Sequence, residues 1–217
     1  EPSILLLDEP LSNLEAGLRN QMRRELRRIQ GETGQTIIYV THDQVEALSL
    51  AHRIAVMNLG ALQQYNVARK VYHFPANRFV GRFLGNPPMN FVEGTVTRAD
   101  GRLVFVGDQD VLPLPANGST RHLSEETQVV VGIRAEAMAM VEAGHPDGFT
   151  CVVLAVEPQG PETVVTARFA AVDLKVVVPT QRRPREGDRI TLVPRGDLLA
   201  LFDADSGVRL EAGDGAS

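Results

Sequence analysis

The sequence is poor in several features, and each shortage excludes a class of protein. Cys151 is the only cysteine among 217 residues, so no disulfide can form within the chain and a reducing compartment is favoured. No apolar run approaches the roughly 20 residues that a membrane-spanning helix needs. The first residues, Glu1 to Ile4, include no basic cluster and no initiator methionine, so we do not expect a signal peptide. These shortages predict a protein of the cytosol.

Lysine is nearly absent, with only Lys70 and Lys175, and the formal net charge is −5. Residues beyond 90 carry twelve basic against nineteen acidic side chains. Arginines cluster at 19–28, but apolar residues interrupt them at helical spacing, which is typical of the solvated face of an amphipathic helix. No strongly basic face remains for a nucleic acid, and we therefore expect no nucleic-acid partner.

The first 85 residues alternate strand-like and helix-like patterns. Strands are predicted at 4–7, 36–40 and 53–58, and helices at 15–31 and 43–51. The first two strands are continuous apolar runs, which predicts burial on both faces, as in a parallel sheet. Asp43 with Glu46 three residues later resembles a capping box, and Leu59-Gly60 predicts a hairpin turn. This alternation predicts an α/β domain built on a parallel sheet.

The pattern changes after Gly85-Asn86-Pro87-Pro88, so we place the domain boundary between residues 85 and 86. Two short helices, at 67–73 and 76–84, precede it. Beyond it, short β-rich runs separated by Gly, Pro and Asp turns predict an all-β domain in the form of a small barrel over 86–210. The runs lie at 93–97, 103–106, 128–133, 151–157, 163–169, 174–178, 189–193 and 199–202.

Two strand ends carry side chains suited to phosphate chemistry. Asp8 follows the first strand, where a carboxylate is well placed to hold a hydrated Mg²⁺ on the phosphates of a nucleotide. The adjacent Glu9, pointing the other way, is suited to orient an attacking water or accept its proton. Taken alone, an acidic pair that merely ends a strand explains Asp8-Glu9 equally well.

His42 stands at the end of the second strand, 34 residues after Asp8. A histidine there can donate a hydrogen bond to a γ-phosphate and so report whether that phosphate is present. A lone histidine in this position is more often a structural cap. The two strand ends together, with Leu11-Ser12-Asn13-Leu14-Glu15 between them, argue against coincidence.

Residues 4–19 (ILLLDEPLSNLEAGLR) and 37–48 (IIYVTHDQVEAL) resemble ABC-transporter ATPases. The likeness is greatest to the subgroup that energises bacterial uptake of sugars, glycerol phosphate and related solutes. It implies that Asp8 is the Walker B aspartate, which holds Mg²⁺ through water. It also implies that Glu9 is the catalytic glutamate and that His42 is the switch histidine.

The resemblance also identifies a D-loop, which faces the nucleotide site across a dimer of two such subunits. The matching residues are Ser12, Asn13, Leu14 and Glu15. Glu15 replaces the aspartate that is usual there, and this is the one departure within the segment.

The resemblance continues downstream in 72–83 (YHFPANRFVGRF), 87–91 (PPMNF), 131–136 (VGIRAE), 156–166 (VEPQGPETVVT) and 201–207 (LFDADSG). These segments are similar to the linker and the transport-associated OB-fold (TOBE) domain of the same subgroup. The implied fold is therefore part of a P-loop NTPase parallel sheet, followed by an OB-like barrel. Residues 1–85 would be the C-terminal part of an ABC ATPase domain, with Walker B, D-loop, switch histidine and linker helices, and 86–210 a TOBE regulatory domain.

Other parts of such an ATP site have no counterpart in the sequence. A phosphate-binding loop needs Gly-Lys-Ser/Thr, and neither Lys70 nor Lys175 follows a glycine. The signature motif of the family needs two adjacent glycines, and the sequence holds no Gly-Gly pair. We therefore expect an N-terminally truncated ATP-hydrolysing importer subunit that is inactive alone, which leaves open whether this chain is an enzyme.

In the intact subunit, the resemblance implies ATP and Mg²⁺ as cofactors. It implies a second ATPase subunit in a homodimer and membrane permease subunits as partners, and a regulatory ligand at the C-terminal domain. The expected location is the cytoplasm, peripheral at the inner face of the cell membrane.

Two alternatives stay open. In the first, residues 86–210 form a non-enzymatic regulatory or solute-sensing module and the first part is a vestigial ATPase remnant. In the second, the sequence comes from a disrupted or incompletely sequenced gene. The DNA immediately upstream would distinguish these from the intact-subunit hypothesis, because an in-frame phosphate-binding loop there is expected only for the latter.

Overall fold

A computed structural model describes residues 3–99, 102–107, 110–114, 123–169, 171–195 and 198–210. The chain divides into two compact units, Glu1–Tyr72 and His73–Ser217. The boundary at 85/86 was predicted from the glycine and prolines of residues 85–88 and the change of pattern after them. The assignment of residues 1–85 and 86–210 to two domains stays a prediction. No helix in the described ranges is both long enough and apolar enough to cross a membrane.

The strands of the first unit are β1 (Ile4–Asp8), β2 (Thr36–Val40), β3 (Arg53–Asn58) and β4 (Ala61–Val67). Its helices are α1 (Ala16–Thr33), α2 (Gln44–Leu50) and α3 (Ala68–His73), the last of which ends at the boundary between the units. The helices and strands predicted for this region are confirmed, with small differences at their ends. Gly34, with φ +65°, ends α1 in the left-handed conformation that glycine accepts most easily.

β1 and β2 pair in parallel, with Ile4 opposite Thr36 and Asp8 opposite Val40. Parallel pairing was predicted, but burial on both faces was wrong for this chain. Leu6 is 70% exposed and Ile38 52% exposed. Burial on both faces requires a layer on each side, and in the described part of the chain these two strands form a two-stranded sheet by themselves.

The third predicted strand, β3, does not extend this parallel sheet in the described residues. It pairs antiparallel with β4, with Asn58 opposite Ala61. Leu59 and Gly60 both have positive φ, at 47° and 80°, and this two-residue turn brings the chain straight back beside β3. The hairpin turn was predicted correctly, whereas the inclusion of Arg53–Asn58 in one parallel sheet was wrong.

The second unit contains α4 (Arg78–Phe83) and a series of strands. The strands are β5 (Asn90–Ala99), β6 (Arg102–Gly107), β7 (Asp110–Pro113), β8 (Gln128–Ile133), β9 (Met138–Val141), β10 (Phe149–Gln159), β11 (Glu162–Phe169), β12 (Val172–Pro179), β13 (Arg189–Pro194) and β14 (Ala200–Asp203). All eight predicted β-rich runs are strands. β7 and β9 were missed because four residues are too few to show a clear alternation.

These strands form two antiparallel sheets, in the orders β12-β11-β10-β13-β9 and β14-β8-β5-β6-β7. A continuous apolar core draws residues from both sheets, among them Val131 and Leu174. Phe149 and Phe169 meet edge to face in this core, with ring centroids 4.6 Å apart. The chain is therefore mostly β with OB-like sheets, as the sequence predicted for its second half.

Two buried polar side chains tie this unit together. The Asn90 amide donates to the carbonyls of Ile133 (3.0 Å) and Lys175 (2.8 Å), and its oxygen accepts from the Lys175 amide at 2.7 Å. Asn90 thereby joins one sheet to the other. The buried Arg134 guanidinium donates to the carbonyls of Gly81 and Leu84 and so holds the end of α4. Both belong to segments that carried the family resemblance, and both are structural here.

Candidate functional site

The carboxyl ends of β1 and β2 meet at one edge of the parallel pair, because Asp8 lies opposite Val40. Asp8 and Glu9 leave this edge from β1, and Thr41, His42 and Asp43 leave it from β2. The Asp8 side chain is exposed. Parallel pairing thus places the two strand ends that the sequence singled out next to one another.

Glu9 and His42 are in contact. The distance between Glu9 Oε1 and His42 Nδ1 is 2.8 Å, and the two side chains are 45% and 73% exposed. The hydrogen bond to Glu9 raises the pKa of the His42 imidazole above its ordinary value, and the negative charge of the same carboxylate adds to the effect. The ring is therefore a proton donor up to a higher pH than a free histidine.

The backbone of Glu9 adopts an unusual conformation. Its φ is +42°, in the left-handed region that a side chain other than that of glycine rarely occupies. The Glu9 amide donates to the Val40 carbonyl at 2.8 Å, and its own carbonyl accepts from the Ser12 hydroxyl at 2.9 Å. A strained residue that its surroundings hold in place is characteristic of functional sites. Nothing in the amino-acid pattern indicated this strain.

The segment from Ser12 to Glu15 forms a tight turn between Glu9 and α1. Leu11 anchors it with only 3% of its side chain exposed, and its carbonyl accepts from the Leu14 amide at 3.1 Å. Ser12 and Asn13 are exposed, and Glu15 occupies the cap position of α1 without a capping bond from its side chain. The turn therefore presents Ser12 and Asn13 to solvent, three and four residues after Glu9.

Asp43 begins α2 as predicted. Its carboxylate accepts from the backbone amides of Val45 (2.8 Å) and Glu46 (3.2 Å). In a full capping box the Glu46 side chain would accept from the Asp43 amide. This part of the prediction is wrong, because Thr41 accepts that hydrogen bond instead. The Thr41 hydroxyl accepts from the Asp43 amide at 2.9 Å. The Glu46 carboxylate is therefore available for other contacts.

Glu46 is 2% exposed, and the sequence did not indicate that this carboxylate is buried. Its Oε2 accepts from the hydroxyls of Tyr39 (2.8 Å) and Thr41 (2.9 Å). Burial raises the pKa of the Tyr39 hydroxyl, and the bond to Glu46 raises it further, so this hydroxyl remains a donor. The available sequence signal was the spacing of Tyr39 in β2 and Thr41 just after it, because residues two apart in extended chain point the same way and both can donate to a nearby acid.

The arginines of α1 divide into two groups. Arg28 pairs with Glu25 and Glu32 at 2.6 Å each on the exposed face, as a solvated helix face predicts. Arg19 is different, because it faces the ends of β1 and β2. Its Nη2 donates to the Leu14 carbonyl at 3.0 Å, and its Nη1 pairs with Asp43 Oδ2 at 3.3 Å.

The residues at this edge could bind a divalent cation that has few protein ligands. In the described part of the chain, no group of three or more His, Cys, Asp or Glu side chains is arranged to hold a metal. Mg²⁺ bound with phosphates typically takes only one or two protein carboxylates and keeps several waters. The exposed Asp8 carboxylate at the strand end fits that requirement, and Glu9 follows it directly in the chain.

Comparison with known families matches two domains in the second half of the chain. The MalK OB fold domain matches residues 85–138, and the TOBE domain matches residues 131–202. Both matches fall on the strands of the second unit.

Known ATP-binding proteins of importers are similar over nearly the whole chain. The sn-glycerol-3-phosphate import ATP-binding protein UgpC 1 of Rhizobium johnstonii is 39% identical over 212 residues, which is 97% of this chain and 56% of that protein. The trehalose/maltose import ATP-binding protein MalK of Thermococcus litoralis is 40% identical over 216 residues, covering 95% of this chain and 57% of that protein. The chain thus spans a little over half the length of these relatives.

A solved structure of the cytoplasmic molybdate-binding protein ModG superposes on 52% of this chain and 94% of its own. The TM-score is 0.43 and the sequence identity 17%. A likeness of this size carries no argument about function.

Proposed function

Since this chain belongs to the family of ABC import ATP-binding proteins, with MalK OB fold and TOBE domains in its second half, we propose that it serves as the ATP-hydrolysing subunit of an importer. The imported solutes are sugars or related small molecules such as glycerol phosphate. Relatives that import glycerol phosphate and trehalose or maltose support this range of solutes, and nothing in the chain narrows it.

The contact between Glu9 and His42 is the observation that carries the proposal. Their 2.8 Å hydrogen bond joins the ends of two adjacent parallel strands, directly beside the exposed Asp8. In the proposed site Asp8 would hold Mg²⁺ through water, Glu9 would polarise the attacking water, and His42 would donate to the γ-phosphate. An imidazole carries an N–H in both its neutral and its protonated form, so His42 can donate to an anion in this role.

When bound, ATP would supply the phosphoryl group, and Mg²⁺ would neutralise part of the negative charge on its phosphate oxygens. The residues of the chain then orient and exchange protons around it. The Glu9 carboxylate, released from His42, would accept the proton of the water, and His42 would then turn its Nδ1–H or Nε2–H toward the phosphate. Ser12, Asn13, Leu14 and Glu15 face the site across the dimer.

The assembly follows from the same proposal. Two ATPase subunits form a homodimer, and permease subunits in the membrane use its closure to move the solute. The protein then works in the cytoplasm, peripheral at the inner face of the membrane. The first unit is part of a P-loop NTPase sheet, of which β1 and β2 are two neighbouring strands, and the second unit carries the dimer contacts and a regulatory ligand.

We expect the 217-residue chain to hydrolyse no ATP by itself, because its sequence holds no Gly-Lys-Ser/Thr to cradle and neutralise the phosphates. The measurement is phosphate release from Mg-ATP by the purified chain. Turnover that depends on magnesium would overturn this expectation.

If an in-frame phosphate-binding loop lies upstream, the role of Glu9 is tested in that longer protein. There, Glu9→Gln is expected to lower kcat by about 100-fold or more, because it removes the group that accepts the proton. Glu32 is an exposed carboxylate of α1 that pairs with Arg28, so Glu32→Gln serves as the matched control and should leave kcat unchanged. An unchanged kcat in Glu9→Gln would rule out the assigned role.

The alternative is a regulatory or solute-sensing module with a vestigial ATPase remnant. One observation favours it, namely that both matched domain families lie within residues 85–202. It predicts that the chain binds a solute or a protein partner with an affinity that Mg-ATP does not alter. Calorimetric titration of sugars and glycerol phosphate, with and without Mg-ATP, distinguishes the two functions.

A further inference from the structure

One buried acid and one half-buried base stand behind the Glu9–His42 pair without contacting it. Glu46 is 2% exposed and receives hydrogen bonds from Tyr39 and Thr41 on one of its oxygens. The other oxygen faces Arg19, with Glu46 Oε1 3.9 Å from Arg19 Nε. A carboxylate is rarely this buried unless it is paired, so these contacts are what make its position tolerable.

Arg19 reaches three separate segments at once. Through Nη2 it holds the Leu14 carbonyl at 3.0 Å, in the turn that follows Glu9. Through Nη1 it pairs with Asp43 at 3.3 Å, in the residue that follows His42. Through Nε it faces Glu46 of α2. The planar guanidinium can make these contacts in different directions, which a single ammonium cannot do.

The two residues that flank His42 are both tied into this cluster. Thr41 donates its hydroxyl to Glu46 and accepts from the Asp43 amide, and Asp43 pairs with Arg19. The His42 ring itself is 73% exposed, and its one hydrogen bond given by the structure is to Glu9. The ring is therefore directed by its backbone and by Glu9 and not by close packing.

We propose that Arg19 and Glu46 are positioning residues that hold the backbone on both sides of the Glu9–His42 pair and so keep the two side chains in contact. Their value for catalysis depends on the proposed ATPase function, but the positioning itself is a property of this chain. Without Arg19, the turn after Glu9 loses its tie through Leu14 and the segment after His42 loses its tie through Asp43. The contact at 2.8 Å would then form for only part of the time.

Titration of His42 tests this positioning, because two effects of removing Arg19 have opposite signs. The charged groups that face His42 are Glu9, Asp43 and Glu46, with Arg19 behind them. Removal of a cation by itself raises the pKa of a nearby imidazole. Loss of contact with Glu9 lowers the pKa toward that of a free histidine.

The experiment follows the His42 ring signal of the full chain by NMR from about pH 5 to 9. In Arg19→Met, we expect the pKa of His42 to fall by about half a pH unit or more. Arg19→Lys keeps the charge and guards against a variant that fails to fold. Because one ammonium cannot reach all three segments, its His42 pKa should also fall. An unchanged or raised pKa in these two variants overturns the proposal.

Two further variants complete the design. Arg28→Met removes an exposed arginine from the same helix and should leave the His42 titration unchanged. In a Glu9→Gln background, Arg19→Met should lower the pKa no further, because the contact that it protects is already gone. A further fall in that background would overturn the proposal, because it would assign the effect of Arg19 to something other than the Glu9 contact.

Amide hydrogen exchange gives a second readout. The Leu14 amide donates to the Leu11 carbonyl within the turn that Arg19 holds, and it should exchange about tenfold faster in Arg19→Met. Neither measurement uses nucleotide. If the longer protein hydrolyses no ATP, the proposed ATPase function is wrong, but the positioning role of Arg19 is unaffected. If the His42 titration is unchanged in the Arg19 variants, the positioning role is wrong, but the ATPase function is unaffected.

Discussion

At the scale of single residues, Glu9 combines two requirements that conflict. Its side chain must lie beside His42, and its backbone takes a φ of +42° to place it there. For an L-residue other than glycine, the left-handed region costs about 1–2 kcal/mol. Hydrogen bonds from the Glu9 amide to Val40 and from Ser12 to the Glu9 carbonyl hold the backbone in place. Glycine would remove the strain but also the carboxylate.

We therefore predict that Glu9→Gly is more stable than Glu9→Ala by about 1 kcal/mol. Both variants lose the carboxylate, so their difference reports the backbone strain, less the extra conformational entropy that glycine loses on folding. Urea unfolding followed by tyrosine fluorescence measures it, because all three tyrosines lie in the first unit and the chain has no tryptophan. At the exposed helical position Arg24, the same comparison should have the opposite sign, with alanine the more stable. The same sign at both positions would contradict the strain.

At the scale of elements, β5 and β6 approach so closely that one position tolerates only glycine. A Cβ on Gly94 would overlap the Val106 carbonyl and lie 2.5 Å from Phe105 Cζ. Phe105 is fully buried in the core between the two sheets, so it has little room to move away. The glycine is needed here for space and not for a turn, because its φ is not in the left-handed region.

Gly94→Ala is expected to destabilise the second unit by about 2–3 kcal/mol through this overlap. Urea unfolding followed by the phenylalanine bands of near-UV circular dichroism measures the loss, because all eight phenylalanines lie in that unit. Gly17→Ala is the matched control, because nothing lies within 4 Å of a Cβ at that position of α1. It should stabilise α1 by about 0.5–1 kcal/mol, read by tyrosine fluorescence. A loss of stability in both variants would show that the overlap is not the cause.

At the scale of the whole molecule, the two units differ in how well they bury apolar side chains. The second unit has a continuous core that includes Phe105, Phe169 and Leu192, all nearly inaccessible to solvent. The first unit leaves large apolar side chains exposed on its strands and on the β3–β4 hairpin, with Leu6 at 70% and Leu59 at 100%. Each strand of the two-stranded β1–β2 sheet is also an edge strand, and exposed apolar edge strands favour aggregation.

We predict that residues 1–85 are less protected from amide hydrogen exchange than the described residues of 90–205, because fewer buried contacts oppose their opening. Exchange followed by mass spectrometry of peptides measures this. Equal protection in both regions would contradict the prediction. Peptides from α4 also distinguish the two boundaries, since α4 should exchange slowly if it belongs with the second unit and quickly if the boundary lies at 85/86.

Much of this was accessible from the sequence. Local patterns were sufficient for the strand and helix positions and for the β3–β4 turn at Leu59-Gly60. The contact of Glu9 with His42 was not predicted, because it depends on the pairing of β1 with β2. The pairing of β3 was not, because periodicity marks a strand without naming its partner. The positive φ of Glu9 and the burial of Glu46 were also missed, since both depend on contacts between segments that are distant in sequence.

The sequence by itself determined the family and the chemical groups of the site, because the apolar runs and the acids and histidine that follow them are local features. Only the tertiary structure decided how those groups are held. Arg19 belonged by its spacing to a solvated helix face, yet it faces Asp43 and Glu46 because the turn from Ser12 to Glu15 directs the start of α1 toward the ends of β1 and β2. A side chain's role depends on what the fold places within reach of it, and spacing along one helix cannot specify that.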